Sequence, residues 1–458
     1  MANRYLEGNF APVHEEVTAV DLAVTGTVPA FLDGRYLRNG PNPPGDPGER
    51  HHWFLGHGMV HGVRLRAGRA EWYRNRWVAR PGSEDKGPNT NVIGHAGQTL
   101  ALVESGPTPY ELTFDLDSVG RCDFGGTLSF GEGAESTQGY TAHPHRDPVS
   151  GELHAVSYNW VRGTTVDYTV IGTDMTVVKH VEVQTHGMPM IHDCAITENH
   201  LVIYDLPVSF DFGMVTTGHP RQNPNTPEWV IDRVARGEPV NDPTAPLPYS
   251  WDPDYPARLG LVPRAGDGSD VRWFEVDQCY VFHTLNAYET GTGEVVVEAV
   301  RHPRMFATDF TGPNEGDTSL VRFTLDLSSG KVREDRMDEH PQEFPRYDER
   351  RTGQRHRYGY TVGMVGPAFG DQIRKHDVST GTVETRSLGG GREAAEFCFV
   401  PDPDSDVEDA GVLMGFVFDP PAGRSELRIL DAGSLEDVAS VVLPGRVPTG
   451  FHGNWVDV

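Results

Sequence analysis

A strand, an aspartate and a turn recur along this chain at a spacing that few folds produce. Phe114–Gly120, Thr324–Gly330, Lys375–Gly381 and Ile429–Ser434 share the pattern. Aligning Asp115, Asp326, Asp377 and Asp431 gives gaps of 211, 51 and 54 residues, the first about four times the other two. A period of ~50 residues is that of β-propeller blades, each a four-stranded sheet. Chance recurrence of hairpin turns is the competing reading. For 458 residues, with an N-terminal extension and long loops, seven blades fit better than eight or nine. The expected fold is an all-β, seven-bladed propeller.

Local patterns point the same way. Leu201–Asp205, Glu294–Glu298 and Leu413–Phe418 are β-branched or aromatic runs bounded by Gly, Pro or Asp. Helical periodicity is scarce, and Trp229–Arg236, after Pro227 and Glu228, is the best short candidate. Gly 52 and Pro 35 are high for a helical protein and indicate many turns. No interior stretch reads as a linker between domains, so one domain over residues 1–458 is expected. The Pro- and Gly-rich stretches 39–48 and 218–263 read as long excursions.

Lys and Arg number 39 against 66 Asp and Glu, a formal charge of −27. That balance argues against nucleic acid as a partner, because a phosphate backbone calls for a basic surface. It also disfavours electrostatic docking on anionic lipid, and leaves solubility as the ordinary role of an acidic surface. Cys122, Cys194, Cys279 and Cys398 show no CxxC spacing and no disulfide framework. The first ten residues lack an apolar signal core, and no run approaches the length of a membrane-spanning helix. The chain reads as cytoplasmic, with any membrane contact peripheral and made through an apolar patch. No obligate protein partner is evident.

Four short strings carry histidines beside apolar or turn-forming neighbours: Thr141–His145, Ile191–Cys194, Phe282–Asn286 and Phe451–Trp455. Histidines so far apart meet only if the fold gathers separate elements at one point. A propeller does this, since the inner strands of successive blades surround a common axis. A neutral imidazole is a ready ligand for a mid-row transition metal, so His143, His192, His283 and His452 are the candidate metal site. Any single one of the 20 histidines is more commonly a surface or hydrogen-bonded core residue. The four gain weight from their surroundings.

Those strings resemble the carotenoid cleavage oxygenase family, which includes carotenoid and apocarotenoid cleavage dioxygenases, the lignostilbene dioxygenases and the animal retinoid isomerase. Further strings match in order: Tyr36–Pro43, Gly58–Gly62, Asn89–Ile93, Asn286–Glu289, Glu343–Arg346 and Gly450–Val456. The similarity runs from about residue 5 to the C-terminus. It implies a seven-bladed propeller with one non-haem Fe(II) on its axis, under a dome of loops that shapes an apolar tunnel. His143, His192, His283 and His452 take the roles of the family's four iron ligands, which are its catalytic centre. Glu104, Glu343 and Glu396 take those of the three glutamates that hydrogen-bond to ligand histidines. A carboxylate accepting the distal N–H fixes the tautomer and raises ligand basicity. Glu393, three residues before Glu396, is the competing assignment for the last.

Other histidines fit less well. His57 stands where the family commonly has an acidic residue before Gly-Met, a departure from the pattern, and His57 and His61 read as non-ligands. His145 could share a strand face with His143, but Pro144 and the family pattern favour His143. Cys194 and Cys279 read as small packing residues.

The family's reaction adds O2, activated at Fe(II), across an alkene and splits the C=C bond into two carbonyl products. It consumes no external reductant. The lignostilbene branch typically carries a lysine immediately before the first second-sphere glutamate, with a tyrosine nearby, to hold a substrate phenolate. This chain has Val103 at that position and Trp77 where the tyrosine is sought. An unpaired phenolate in an apolar tunnel costs several kcal/mol, so a carotenoid or apocarotenoid is favoured over a stilbene or other phenylpropenoid. Leu206, Val208, Phe210, Phe212 and Met214 form an alternating apolar stretch. Phe210 and Phe212 are candidate edges of the tunnel mouth or of a membrane contact, and an ordinary buried strand is the plainer reading. Isomerisation without oxygen incorporation, and a non-catalytic propeller that binds proteins on its faces, remain as alternatives.

Overall fold

The structure, a computed structural model, describes residues 3–48, 51–80, 82–83, 85–105, 108–129, 139–211, 213–214, 247–313, 315–365 and 368–458. The segment Trp229–Arg236 and Phe212 lie outside the described residues. Among the described residues the strands form seven sheets of four to six strands and one two-stranded hairpin. The named helices are single 3-10 turns such as Arg4–Leu6 and Trp53–Leu55. The seven sheets are the blades of a propeller.

Every blade is an antiparallel meander that starts at the axis. The innermost strands of blades 2 to 7 are Asn91–His95, His145–Arg146, Cys194–Ile196, Tyr280–Thr290, Gln342–Tyr347 and Cys398–Pro401. Blade 1 takes its innermost strand from the far end of the chain: Gly453–Asp457 pairs with Gly34–Pro41, with Arg38 opposite Gly453. The N-terminal strand Val24–Gly26 in turn pairs with Asp437–Val442 at the outside of blade 7. This double latch ties both ends of the chain into sheets and closes the ring, which limits exposed sheet edges.

Strand composition follows position. A strand with sheets on both faces is buried throughout, and Leu153–Tyr158 of blade 3 is buried at every residue. Outer strands keep a solvent face, as in the alternating Val177–Gln184. The largest apolar cluster runs through blades 3, 4 and 5 and includes Tyr168, Ile203, Phe274 and Phe323.

The repeated aspartate marks one place in the blade, the turn between its third and fourth strands. Asp326 Oδ1 accepts from the backbone N–H of Ser328 and Ser329, Asp377 Oδ1 from those of Ser379 and Thr380, and Asp431 Oδ1 from that of Ser434. A short acid bonding to the backbone ahead of it stabilises such turns. The first gap covers three blades rather than four. The additional length is a detour inside blade 4 that includes the hairpin Val208–Phe210 with Tyr249–Trp251. Two expected excursions are likewise corrected: residues 39–41 finish a strand of blade 1, and Arg258–Pro263 is the third strand of blade 4. Periodicity does not reveal where an inserted loop rejoins its sheet.

Candidate metal centre

Every blade contributes one side chain, either to a cluster of four histidines or to the carboxylates behind it. His143 and His452 immediately precede or nearly precede the innermost strands His145–Arg146 and Gly453–Asp457, and His192 stands two residues before Cys194–Ile196. His283 lies within Tyr280–Thr290, where the register shifts between Val281 and Thr284. That bulge re-aims the side chain. Glu343 sits at a second register shift, before Arg346. There Phe344 adopts φ +53, a left-handed backbone rare for an aromatic residue. Glu104 follows the second strand of blade 2, and Glu396 precedes the innermost strand of blade 7.

The imidazoles of His143, His192, His283 and His452 present ligating nitrogens that all lie within 4.8 Å of one another. His283 Nε2 is 3.1 Å from His192 Nε2 and 3.2 Å from His452 Nε2. His143 Nε2 is buried and has no hydrogen-bond partner. Ring nitrogens whose lone pairs face one another at this range repel unless something cationic lies between them. Two nitrogens at right angles about an ion at ~2.1 Å would stand ~3.0 Å apart, the observed spacing. The donor set therefore fits a first-row divalent metal.

Carboxylates behind three of the rings orient them. Glu343 Oε2 is 2.6 Å from His283 Nδ1, and its Oε1 is 2.8 Å from His302 Nε2. Glu396 lies 3.2 and 3.3 Å from His452 Nδ1 and also accepts from the Gly453 N–H at 2.7 Å. Arg346 Nη1 approaches Glu396 at 3.4 Å. Glu104 Oε1 is 3.1 Å from His192 Nδ1, an ion-pair distance without hydrogen-bond alignment, while Oε2 accepts from the Tyr158 hydroxyl at 3.4 Å. A proton held at Nδ1 leaves the Nε2 lone pair for the centre.

The electrostatics suit that arrangement. Burial, and then the neighbouring imidazoles, push the pKa of His143 well below the ordinary value. Burial brings that of His452 down to about 4 despite Glu396. Both rings are neutral near pH 7, as ligation requires. Burial alone would lower His283, but the Glu343 carboxylate outweighs it and raises the pKa. Glu343 and Glu396 resist burial in the same way. The charge and hydrogen bonds of His283 and His302 hold Glu343 below the carboxylate range, and His452 with Arg346 brings Glu396 down to about 2.

The cluster divides two cavities. One, of about 290 Å³, has an aromatic wall that includes Trp53, Phe54, Phe344, Phe369 and Phe451. The other, of about 800 Å³, lies on the far side of the rings and is walled by charged and amide side chains such as Arg346, Asp193, His145 and Asn454. His283 and His452 face both.

Of the expected tunnel residues, Val103 lines the aromatic cavity. Trp77 does not: its indole N–H donates to the Asn42 carbonyl at 3.0 Å, at the end of the strand Arg69–Trp77. Phe210 stands one layer back, stacked on Trp160 at 5.5 Å and 11°. Leu206, Val208, Phe210 and Met214 are buried, the plainer of the two readings for that stretch. His61 is buried against the Tyr73 hydroxyl at 2.9 Å and, like His57, lies outside the cluster. Cys194 and Cys279 are buried free thiols whose pKa burial raises. The sequence left unnoticed His302, the second partner of Glu343, and the aromatic wall. His302 is on the strand Glu294–His302, next to the one that carries His283, and only register could have singled it out.

Comparison with known proteins gives a consistent set of likenesses. The sequence profile of the retinal pigment epithelial membrane protein family matches residues 10–457. A carotenoid cleavage oxygenase of Mycobacterium tuberculosis is 47% identical over 497 aligned positions, covering 99% of this chain and 97% of that protein. A carotenoid 9,10(9',10')-cleavage dioxygenase 1 of Pisum sativum is 30% identical, covering 100% of this chain and 90% of its own. Among solved structures, a lignostilbene dioxygenase of Pseudomonas brassicacearum superposes with a TM-score of 0.84 at 25% identity, with both chains covered in full.

Proposed function

Since this chain belongs to the carotenoid cleavage oxygenase family, we propose that it is an Fe(II)-dependent dioxygenase that cleaves one C=C bond of a carotenoid or apocarotenoid. It acts as one unit over residues 1–458, with one ion per chain and O2 as co-substrate. The observation that carries this reading is the convergence of four imidazoles, three of which, His192, His283 and His452, line an aromatic cavity, while the fourth, His143, brings a buried Nε2 without a hydrogen-bond partner.

His143, His192, His283 and His452 would hold the ion, with Glu343 and Glu396 hydrogen-bonded to two of their rings and Glu104 3.1 Å from a third. When bound, Fe(II) supplies the activation of O2, so that one oxygen atom ends on each alkene carbon and two carbonyl compounds leave. An all-imidazole set leaves the ion its double charge, unlike a site with a carboxylate ligand. The aromatic wall sorts substrates by shape, lies flat against a conjugated chain and excludes water. No proton need be moved by the protein, because alkene and O2 together contain every atom of the two products.

The wall also bears on substrate class. Among the described residues that line it there is no lysine or arginine. A phenolate would have no counter-charge there, whereas a polyene needs none. One observation favours the second reading, an aryl alkene such as a stilbene: Tyr158 and Tyr249 line the cavity and offer hydroxyls to a neutral phenol. No described helix is long and apolar enough to cross a membrane. A cytoplasmic enzyme that meets its apolar substrate at a membrane periphery, without an obligate protein partner, fits this reading.

The test is aerobic incubation of the iron-loaded protein with carotenoids, apocarotenoids and stilbenes under 18O2, with products identified by mass spectrometry. Labelled aldehydes from a polyene are expected. Isomerised but unlabelled products would assign the isomerase reaction. Absence of turnover, together with no uptake of Fe(II), would favour a non-catalytic propeller.

A further inference from the structure

Blades of a propeller share no strand-to-strand hydrogen bonds with one another, so the spacing of side chains drawn from different blades needs some other fastening. One buried carboxylate provides it here. Asp193 Oδ1 accepts from His145 Nε2 at 2.8 Å and from the Cys194 N–H at 2.7 Å, and Oδ2 accepts from the Thr284 N–H at 2.8 Å. These donors belong to blades 3, 4 and 5, and each is within two residues of a cluster histidine. His145 follows His143, Asp193 follows His192, and Thr284 follows His283. The Thr284 hydroxyl extends the junction, bonding the Tyr204 hydroxyl at 2.7 Å and donating to the Cys194 carbonyl at 3.2 Å. His452 is outside this network and rests instead on Glu396.

We propose that Asp193, with His145 as its partner, is a positioning residue that sets the mutual spacing of His143, His192 and His283 and thereby the metal affinity of the empty protein. The inference rests on the reading of these histidines as metal ligands. A second ion held by His145, Asp193 and Cys194, whose ligand atoms lie within 4.8 Å of one another, is the competing use of the same groups. It is disfavoured because both Asp193 oxygens already accept from protein donors, and the Cys194 thiol is buried and turned toward the His143 carbonyl, 3.8 Å away. A coordination shell tolerates little displacement, and outer partners of metal ligands are typically worth ~10–100-fold in affinity.

The experiment compares the full-length wild type with Asp193→Asn, Asp193→Ala, His145→Gln and, as a control, Asp338→Asn. Asp338 is a buried acid bonded to Arg374 and away from the cluster. Metal-free protein is titrated with Co(II) against a competing chelator, the visible spectrum of the Co(II) form is recorded, and the metal-free melting temperature is measured. The Asp193 variants are expected to lose about 10–100-fold in Co(II) affinity and to change the spectrum. His145→Gln loses less, while Asp338→Asn lowers the melting temperature and leaves affinity and spectrum as in the wild type. Folded Asp193 variants with wild-type affinity and spectrum would overturn the proposal. If neither Asp193 variant folds, a wild-type result for His145→Gln overturns it. A wild type that takes up no Co(II) would instead remove the metal reading on which the inference rests.

Discussion

Glu343 joins two histidines of blade 5 across a blade boundary: Oε2 meets His283 Nδ1 at 2.6 Å and Oε1 meets His302 Nε2 at 2.8 Å. The His283 imidazole therefore has its far nitrogen in the four-histidine cluster and its near nitrogen fixed by a carboxylate that is itself fixed. Glu104 is looser, at 3.1 Å from His192 and without hydrogen-bond alignment. The three acids should not be equivalent.

Glu343→Gln is expected to lower metal affinity about 10–100-fold, and Glu104→Gln by less. Iron content after dialysis against a graded chelator, measured alongside turnover, checks the order. Equal effects at the two positions would contradict the geometric ranking.

Removal of a proposed ligand should exceed the effect of any outer partner. His143→Ala deletes the unpartnered buried nitrogen and is expected to cost more than the ~100-fold upper figure for an outer partner. Because the ring is neutral and makes no bond through Nε2, the metal-free protein should melt close to the wild type. Calorimetry of both metal-free proteins tests the second half: a large loss of stability would recast His143 as a structural residue.

Val103→Lys introduces an ammonium group into a wall that has no lysine or arginine among its described residues. A hydrogen bond to a charged group is worth ~1.5–3 kcal/mol, so kcat/KM for a 4-hydroxystilbene should rise by about tenfold or more relative to a long polyene. Competition between the two substrates in one vessel gives the ratio directly.

Acid should weaken the fold through a buried histidine outside the four-imidazole cluster, His154, which pairs across strands with His145. Burial and the adjacent Arg264 guanidinium push His154 down to about 3, and its Nε2 lies 3.0 Å from Arg264 Nη2, which makes it the acceptor. The folded pKa is thus below the unfolded value of about 6.5. Between the two, the unfolded chain binds a proton that the folded one excludes, so stability is full above pH ~6.5 and falls toward pH ~3 at about 1 kcal/mol per unit for such a group. Urea unfolding at pH 7.5, 5.5 and 4.5 should show this decline, and His154→Gln should flatten it. An unchanged slope in that variant would rule His154 out as a contributor.

Much of this protein was legible before any coordinates. The recurring Asp turns carry the blade period because a short acid stabilises the same backbone turn wherever a third strand hands over to a fourth. The histidine strings are local signals, each beside the start or bulge of an innermost strand, and so are Glu343 and Glu396 in their motifs. The first gap of 211 residues reads as about four periods but spans three blades, because the loop inserted in blade 4 obeys no period. Trp77 was expected at the cavity, yet which way an indole turns at a strand end depends on the carbonyl it finds, here that of Asn42.

What the sequence determined by itself was periodicity, strand-rich composition and the identity of the groups that could meet. These are properties of short segments, fixed by backbone sterics and side-chain chemistry. Only the tertiary structure decided that blade 1 closes with the C-terminal strand, that His302 and Asp193 brace the cluster, and that aromatic rings from residues 53, 54, 344, 369 and 451 share one wall. Such relationships join residues well separated along the chain, by 41 positions for His302 and Glu343 and by more for the strand pair that closes blade 1. They exist because ring closure brings separate blade ends to one axis, where distance along the chain no longer measures distance in space.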